Sequence, residues 1–371
     1  MKKKKFRFVF RRLFAGLLCV FLFVFLPSVG SGKNQNMAML YNVFVGNKSE
    51  YQGILEIWNI DTFEGASKSK TSLLLDSGDI FKKENKGVYL LVRNMTETEC
   101  VNLLQSGVLP DLFSCSYGVA EKLKDYVEPL ENNDFSIAKN LLNAGVVDGK
   151  QVGVPWCLSS YHLISTKERL KNAGLSDASL LKNVFDLGYK KTLKNKTEIV
   201  YSLSFGEGDY LCPQKAILSY YNEGALNLKE TSINKDSAKG TSYSAYCRFV
   251  ANESTILLGT NRDIERMNKR LAQGKVEDVV FEPLTKFTDL VQFVFLAKGE
   301  NAQKDICKQK FVEVLTGTVF QEKVVKSGLY SVAKTSVMQD IPFEIIEDYS
   351  VLNVFVTKNE IEKLREKLFL I

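Results

Sequence analysis

Between residues 53 and 113 the chain alternates apolar strands with amphipathic helices, and this order restricts the fold more than any other feature. Residues 53–60 read as a strand and residues 70–84 as a helix, in which Leu73, Leu74, Ile80 and Phe81 recur at roughly helical spacing. Residues 88–92 read as a second strand. Thr96 with Glu99 is a capping-box pattern opening a helix that ends near Gly107, after which residues 109–113 restart a strand. Strand, helix, strand, helix, strand in so short a stretch predicts a largely parallel sheet with helices on both faces. Ligands of such sheets bind beyond the C-terminal strand ends, here residues 58–63, 94–95 and 115–117.

The N-terminus has a different character. Lys2 to Lys5, Arg7, Arg11 and Arg12 precede an apolar run at residues 13–26, and small residues Ser28, Gly30 and Ser31 follow. The pattern is that of a secretory signal. The run is short for a spanning helix, although an uncleaved anchor is the alternative if residues 6–10 extend it. Residues 33–52 read as a tether; further along, residues 135–144 read as a helix, Pro213 suits the first turn of another with Gly224 as its stop, and residues 227–242 read as a polar surface loop. The formal net charge of +6 comes from the leader, whose removal leaves 42 basic against 43 acidic residues. That balance excludes the electrostatic signature of a nucleic-acid binder.

Six cysteines follow the leader: Cys100, Cys115, Cys157, Cys212, Cys247 and Cys307. In an exported chain an even count permits disulfides, with fifteen possible pairings, but none is closely spaced with another and a chain of 371 residues does not need staples, so mostly reduced, buried thiols are expected. There is no Cys-x-x-Cys, and the single histidine, His162, lies in an apolar run as a packed strand residue. Zinc and histidine-dependent triads are therefore unsupported. Walker A, dinucleotide glycine loops and Gly-x-Ser-x-Gly are absent.

Residues 149–174 carry the most recognisable pattern. Asp148-Gly149 between Val146-Val147 and Val152-Gly153-Val154 has the chemistry of a two-residue hairpin turn. Gly153-Val154-Pro155-Trp156 and the apolar residues 161–164 follow. Ser165 with Glu168 suggests a capping box, and Lys167, Leu170, Ala173 and Gly174 close a short helix. This order resembles the lobe-crossing segment of extracytoplasmic solute-binding proteins of ABC importers, the sugar-binding family in particular. Phe81 with Asn85, Gly107 with Pro110-Asp111-Leu112-Phe113, and Gly328-Leu329-Tyr330 are similar to other patterns of that family. The likeness spans roughly residues 53–335. The chain lacks the family's Pro-x-Thr-Trp helix start after Gly174 and the tryptophan near Gly259.

The resemblance implies an α/β, two-lobed type II periplasmic-binding-protein fold, each lobe a mostly parallel sheet flanked by helices and joined by a hinge. Lobe one would comprise residues 53–155 and 283–334, and lobe two residues 156–282 and 335–371. It implies capture of a small-molecule solute, sugar or oligosaccharide, by hinge closure outside the membrane. Delivery would be to ABC permease subunits, by a monomer without cofactor, metal or catalysis. Cys19 is a poor lipidation site, since Leu18 stands where that signal wants a small residue. By position the ligand-binding residues would be Trp58, Asp61, Phe63 and Glu64, then Ser116 and Tyr117, Trp156 and Tyr161, Glu207, Asp209 and Tyr210, and Asn261 with Arg262. Rings stack on sugar faces, while acids, amides and guanidinium bind hydroxyls. Peptide-like and polyamine ligands stay open. A degenerate module that docks on a membrane sensor is the alternative to an importer subunit. An enzyme would need paired acids such as Asp61 with Glu207, whose separation the sequence does not fix.

Overall fold

A computed structural model describes residues 51–131, 134–187, 191–194, 198–208, 210–222 and 240–369. The leader, most of the tether, Asp209 and most of the polar stretch at 227–242 lie outside the described residues. No described helix is long and apolar enough to cross a membrane.

The strands in chain order are β1 (Gly53–Asn59), β2 (Val88–Asn94), β3 (Leu112–Cys115), β4 (Val127–Glu128), β5 (Val146–Val147), β6 (Lys150–Gln151) and β7 (Gly153–Leu158). They continue with β8 (Tyr161–Thr166), β9 (Lys191–Lys194), β10 (Glu198–Ser204), β11 (Ser254–Thr260), β12 (Val279–Leu284) and β13 (Val291–Ala297). One sheet has the order β2-β1-β3-β13-β4, with β7 also on β13; the other has the order β12-β8-β11-β10-β9. These are the cores of two lobes. The βαβ portion is parallel, β1 pairing with both β2 and β3. The strands at the crossings, β7, β8, β12 and β13, enter antiparallel pairings, so both sheets are mixed.

Local chemistry explains the helices. Ser69 Oγ accepts the Ser72 N–H at 3.1 Å to open Lys70–Glu84, which buries Leu73, Leu74 and Phe81. Thr96 and Glu99 close a reciprocal capping box, with bonds of 3.2 and 2.7 Å, at the start of Glu97–Gln105. The Asp148-Gly149 turn has φ of 50° and 73°, the left-handed pair a tight hairpin between β5 and β6 requires.

Two local readings are corrected. The cap of Lys167–Asn172 is Thr166, whose Oγ1 accepts from Arg169 N at 3.3 Å, and not Ser165. Strand β8 stays paired with β12 as far as Thr166, so the helix begins one residue later and Ser165 Oγ bonds Thr255 O instead. The helix expected from Phe135 shortens to Lys139–Ala144, because Ile137 bridges Ala333 and Ala138 N donates to Val332 O.

The chain leaves the first sheet at Leu158, enters the second at Tyr161, and returns between Leu284 and Val291. Ser159 and Ser160 between β7 and β8 are fully buried. Near the end of the chain, Asn140 Nδ2 donates to the carbonyls of Ile346 and Tyr349, and Arg365 Nε donates to Leu211 O. The last helix, Lys358–Phe369, therefore packs with the second lobe at Pro213–Asn222. The six described cysteines are free and all but Cys247 are buried.

Candidate functional site

The two lobes meet along a seam to which β1, β3 and β7 bring their C-terminal ends, and β8 and β13 their first residues. Gln292 is the one polar residue of β13. Its Nε2 lies 3.1 Å from Ser114 Oγ, 3.3 Å from Ile60 O and 3.4 Å from Asn59 Oδ1. Ser114 Oγ donates to Asn59 Oδ1 at 3.0 Å and receives the Trp156 Nε1–H at 3.2 Å. Asn59 Nδ2 reaches Asp61 and Asn94 at 3.1 and 3.0 Å. Beneath this network Lys70, fully buried, donates to Phe63 O at 2.6 Å, pairs with Asp61 at 3.3 Å and stands 3.4 Å above the Phe63 ring. Burial lowers its pKa, and Asp61 opposes that shift.

On the second lobe Asn261 opens the helix Asn261–Ala272. Its Oδ1 accepts from Ser159 Oγ at 2.9 Å and Ser160 N at 3.0 Å, and lies 3.3 Å from His162 Nε2. Tyr161 Oη donates to buried Asp289 at 2.6 Å, and Cys212 N donates to the other carboxylate oxygen at 2.5 Å. Desolvation raises the Asp289 pKa against the pull of those two donors.

Direct bonds join the lobes at both ends of the seam. Asn261 Nδ2 donates to Gly328 O at 2.7 Å, Arg262 donates to Ala66 O, and Arg266 pairs with Glu64 at 2.9 Å. At the other end Tyr210 Oη donates to Glu97 at 2.7 Å beside the Lys122–Glu97 pair. Gly118, with φ of 77°, leaves room for the Tyr210 ring, which a Cβ there would approach to 2.1 Å. Gly118→Val is expected to displace that ring, break the Tyr210–Glu97 bond and cost about 1–3 kcal/mol by overpacking. Small-angle scattering should show a larger radius of gyration; unchanged scattering and stability would mean that this contact does not hold the seam.

The residues expected from sequence fall into distinct surroundings. Trp58 is fully buried, with Nε1–H on Glu56 at 2.9 Å and its ring edge-on to Phe113. Trp156 is fully buried and tilted against Phe320. Phe63, Ser116, Tyr117, Tyr161, Tyr210 and Asn261 are buried, Asp61 and Glu64 exposed, and Arg262 half-buried. Glu207 receives the Gln214 amide. The structure thus joins Glu64, Tyr210, Asn261 and Arg262 in contacts between lobes. Trp58 stands apart, towards Arg93 and Glu56.

Several seam residues escaped sequence reasoning: Gln292, Asp289, Glu97, Gln214 and Tyr330. Gln292 had a signal, a lone amide within an apolar strand. Four buried polar atoms on the first-lobe side have no hydrogen-bond partner, Thr62 Oγ1, Ser116 Oγ, Asn140 Oδ1 and Gln292 Oε1, while the Tyr117 hydroxyl lies against the Leu352 backbone. On the second lobe Gln214 Oε1 is also unpaired. All are neutral, and most native polar atoms so buried are satisfied. No group of described His, Cys, Asp and Glu residues could hold a metal ion.

The architecture is the type II periplasmic-binding-protein fold, shared with sugar-binding ABC substrate-binding proteins. No protein-family model matches the chain, and no curated protein matches it in sequence. Among solved structures, the GacH receptor of Streptomyces glaucescens, studied with acarbose, superposes with a TM-score of 0.57 at 16% identity, over 86% of this chain and 92% of that one. Maltose-bound MalE3 of T. maritima gives 0.54 at 13% identity, over 86% and 100%. Thiaminase I from Bacillus thiaminolyticus gives 0.51 at 13% identity, over 85% and 97%, so an enzyme also has this architecture.

Proposed function

We propose that the chain binds a neutral, hydroxyl-rich solute, carbohydrate in class, in the seam between its lobes outside the membrane, and presents it to an ABC permease by hinge motion. The observation that carries this reading is the pair of unpaired neutral atoms, Ser116 Oγ and Gln292 Oε1, at the strand ends where such a fold receives its ligand. Hydroxyls and amide oxygens left unpaired by the protein suit the hydroxyls of a sugar, and they lack the charge a polyamine or free carboxylate needs. The sugar-binding proteins that share the fold support the same class. The N-terminal signal pattern supports an extracytoplasmic place.

We propose the two lobes read from sequence, with the crossings moved from 155/156 and 282/283 to Ser159-Ser160 and to residues 285–290, because Cys157 and Leu158 pair with β13 in the first sheet and Pro283 and Leu284 with β8 in the second. The reading is of a binder and not a catalyst. Burial raises the thiols of Cys115 and Cys157 and so opposes thiolate formation, and His162 Nε2 faces only Asn261 and Tyr330.

The test is a thermal-shift screen against mono- and oligosaccharides, amino acids, peptides and polyamines. A ligand at a hundred times its dissociation constant adds about 2.7 kcal/mol of stability. Gln292→Leu is expected to weaken a sugar hit at least tenfold, an effect of about 1.4 kcal/mol. A second reading, a module that docks on a membrane sensor without transport, is favoured by the bonds that already close the seam and by the absence of an exposed tryptophan face. Silence across the panel from a cooperatively folding sample would support it.

A further inference from the structure

At the pole of the second lobe remote from the seam lies a cavity of about 800 Å³. Strand β8 runs from Tyr161 at the seam to Thr166 at this pole, and β11 runs back from Ser254 to Thr260, so the cavity is one strand, roughly 20 Å, away. Arg169, Ser254, Arg270 and Lys275 line it, with Glu168 and Glu277.

Two polar atoms here have nothing to bind. Ser254 is 2% exposed and its Oγ has no partner, and the Arg270 Nε–H is buried without an acceptor. Arg169 donates to Phe249 O at 2.6 Å and Ser254 O at 3.0 Å, and stacks 4.1 Å from the Phe249 ring. None of the three cations forms an ion pair among the described residues. Burial, with repulsion from Arg270, pulls the Arg169 pKa down to about 10, against attraction from Glu168.

Three helices end nearby, Lys167–Asn172, Ser242–Val250 and Asn261–Ala272, and their negative ends account for cations at this pole. They do not account for the unpaired donors. The terminal carbonyls already have partners: Phe249 O takes Asn252 N, Arg248 O takes Glu253 N, Lys269 O takes Gln273 N and Arg270 O takes Lys275 N. What is missing is an acceptor carrying negative charge. The two acids keep the excess positive charge of the lining at one, which suits a single anionic head and disfavours a polyanion.

We propose that this cavity binds the oxyanionic head of a small molecule, phosphate or carboxylate, with Arg270 Nε and Ser254 Oγ as donors and Arg169 and Lys275 supplying charge. The site is independent of the sugar seam. Its test is titration of the full chain with inorganic phosphate and, separately, acetate, at ionic strength held constant with chloride, read by calorimetry and thermal shift. Saturable binding of either ion is expected; phosphate alone assigns a phosphoryl head, acetate a carboxylate. Arg270→Gln should weaken it at least tenfold and Ser254→Ala about threefold. Arg270→Lys, which keeps the charge and loses the Nε–H, should not restore it. If the arginine variants fail to fold, Ser254→Ala carries the comparison. No saturable response to either ion, or unchanged affinity in the folded variants, overturns the proposal, whatever the sugar screen returns.

Discussion

Trp156→Ala is expected to destabilise the chain by about 3–5 kcal/mol, the range for deleting a fully buried large aromatic. The indole has no exposed surface, leans on Phe320, and spends its N–H on Ser114 Oγ at 3.2 Å. Its backbone carbonyl accepts from Gln321, which also receives the Ser331 hydroxyl and the Val332 N–H. Truncation would therefore leave a cavity beside a polar network that fixes the chain's exit from the helix Thr318–Lys326. Trp156→Phe should recover part of the loss, because it refills much of the volume while still leaving Ser114 without its indole donor. Urea unfolding of the three forms gives the comparison. An unfolding free energy for the alanine variant within about 0.5 kcal/mol of wild type would place the ring in a solvent-facing cleft rather than in packing.

Trp156 also shows where sequence reading stops. Its strand and its place beside the crossing follow from Gly153-Val154-Pro155-Trp156, but not the environment of the ring. Strands β7 and β8 are buried at every position, so they lack the alternation that would tell an inner face from an outer one. Features set by neighbours in sequence were legible: the Thr96–Glu99 box, the Asp148-Gly149 turn, and the helix beginning at Pro213. Features set by distant partners were not. Ser165 looks like a cap until β12 pairs one residue further, and Phe135 looks helical until Ala333 binds Ile137. The seam pairs Tyr161 with Asp289 and Tyr210 with Glu97 across more than a hundred residues, and no spacing rule connects them. The acids read as cleft ligands, Asp61 and Glu64, lie on the right strand end, yet in this conformation they serve Lys70 and Arg266.

Acidification is expected to weaken the fold through His162. The ring is 2% exposed, with Asn261 Oδ1 at 3.3 Å and Tyr330 Oη at 3.4 Å from Nε2, and burial lowers its pKa to about 4. The unfolded chain takes up this proton near the ordinary value of 6.5 and the folded chain only near 4. Between those limits the unfolded state holds more protons, so stability falls as pH falls, by about 3 kcal/mol over the whole window. Asp263 and Asp289, the buried carboxyls beside the same seam, are both raised by desolvation. They protonate earlier in the folded state, act with the opposite sign, and so offset part of the loss. His162→Gln removes the titration and keeps a group able to donate to Asn261. It should flatten the profile between pH 6.5 and 4, even at some cost in stability at neutral pH. Urea midpoints for both forms from pH 7 to pH 4 decide the matter: parallel profiles would place the acid sensitivity elsewhere, whereas a shallower profile for the glutamine variant assigns it to the one histidine of the chain.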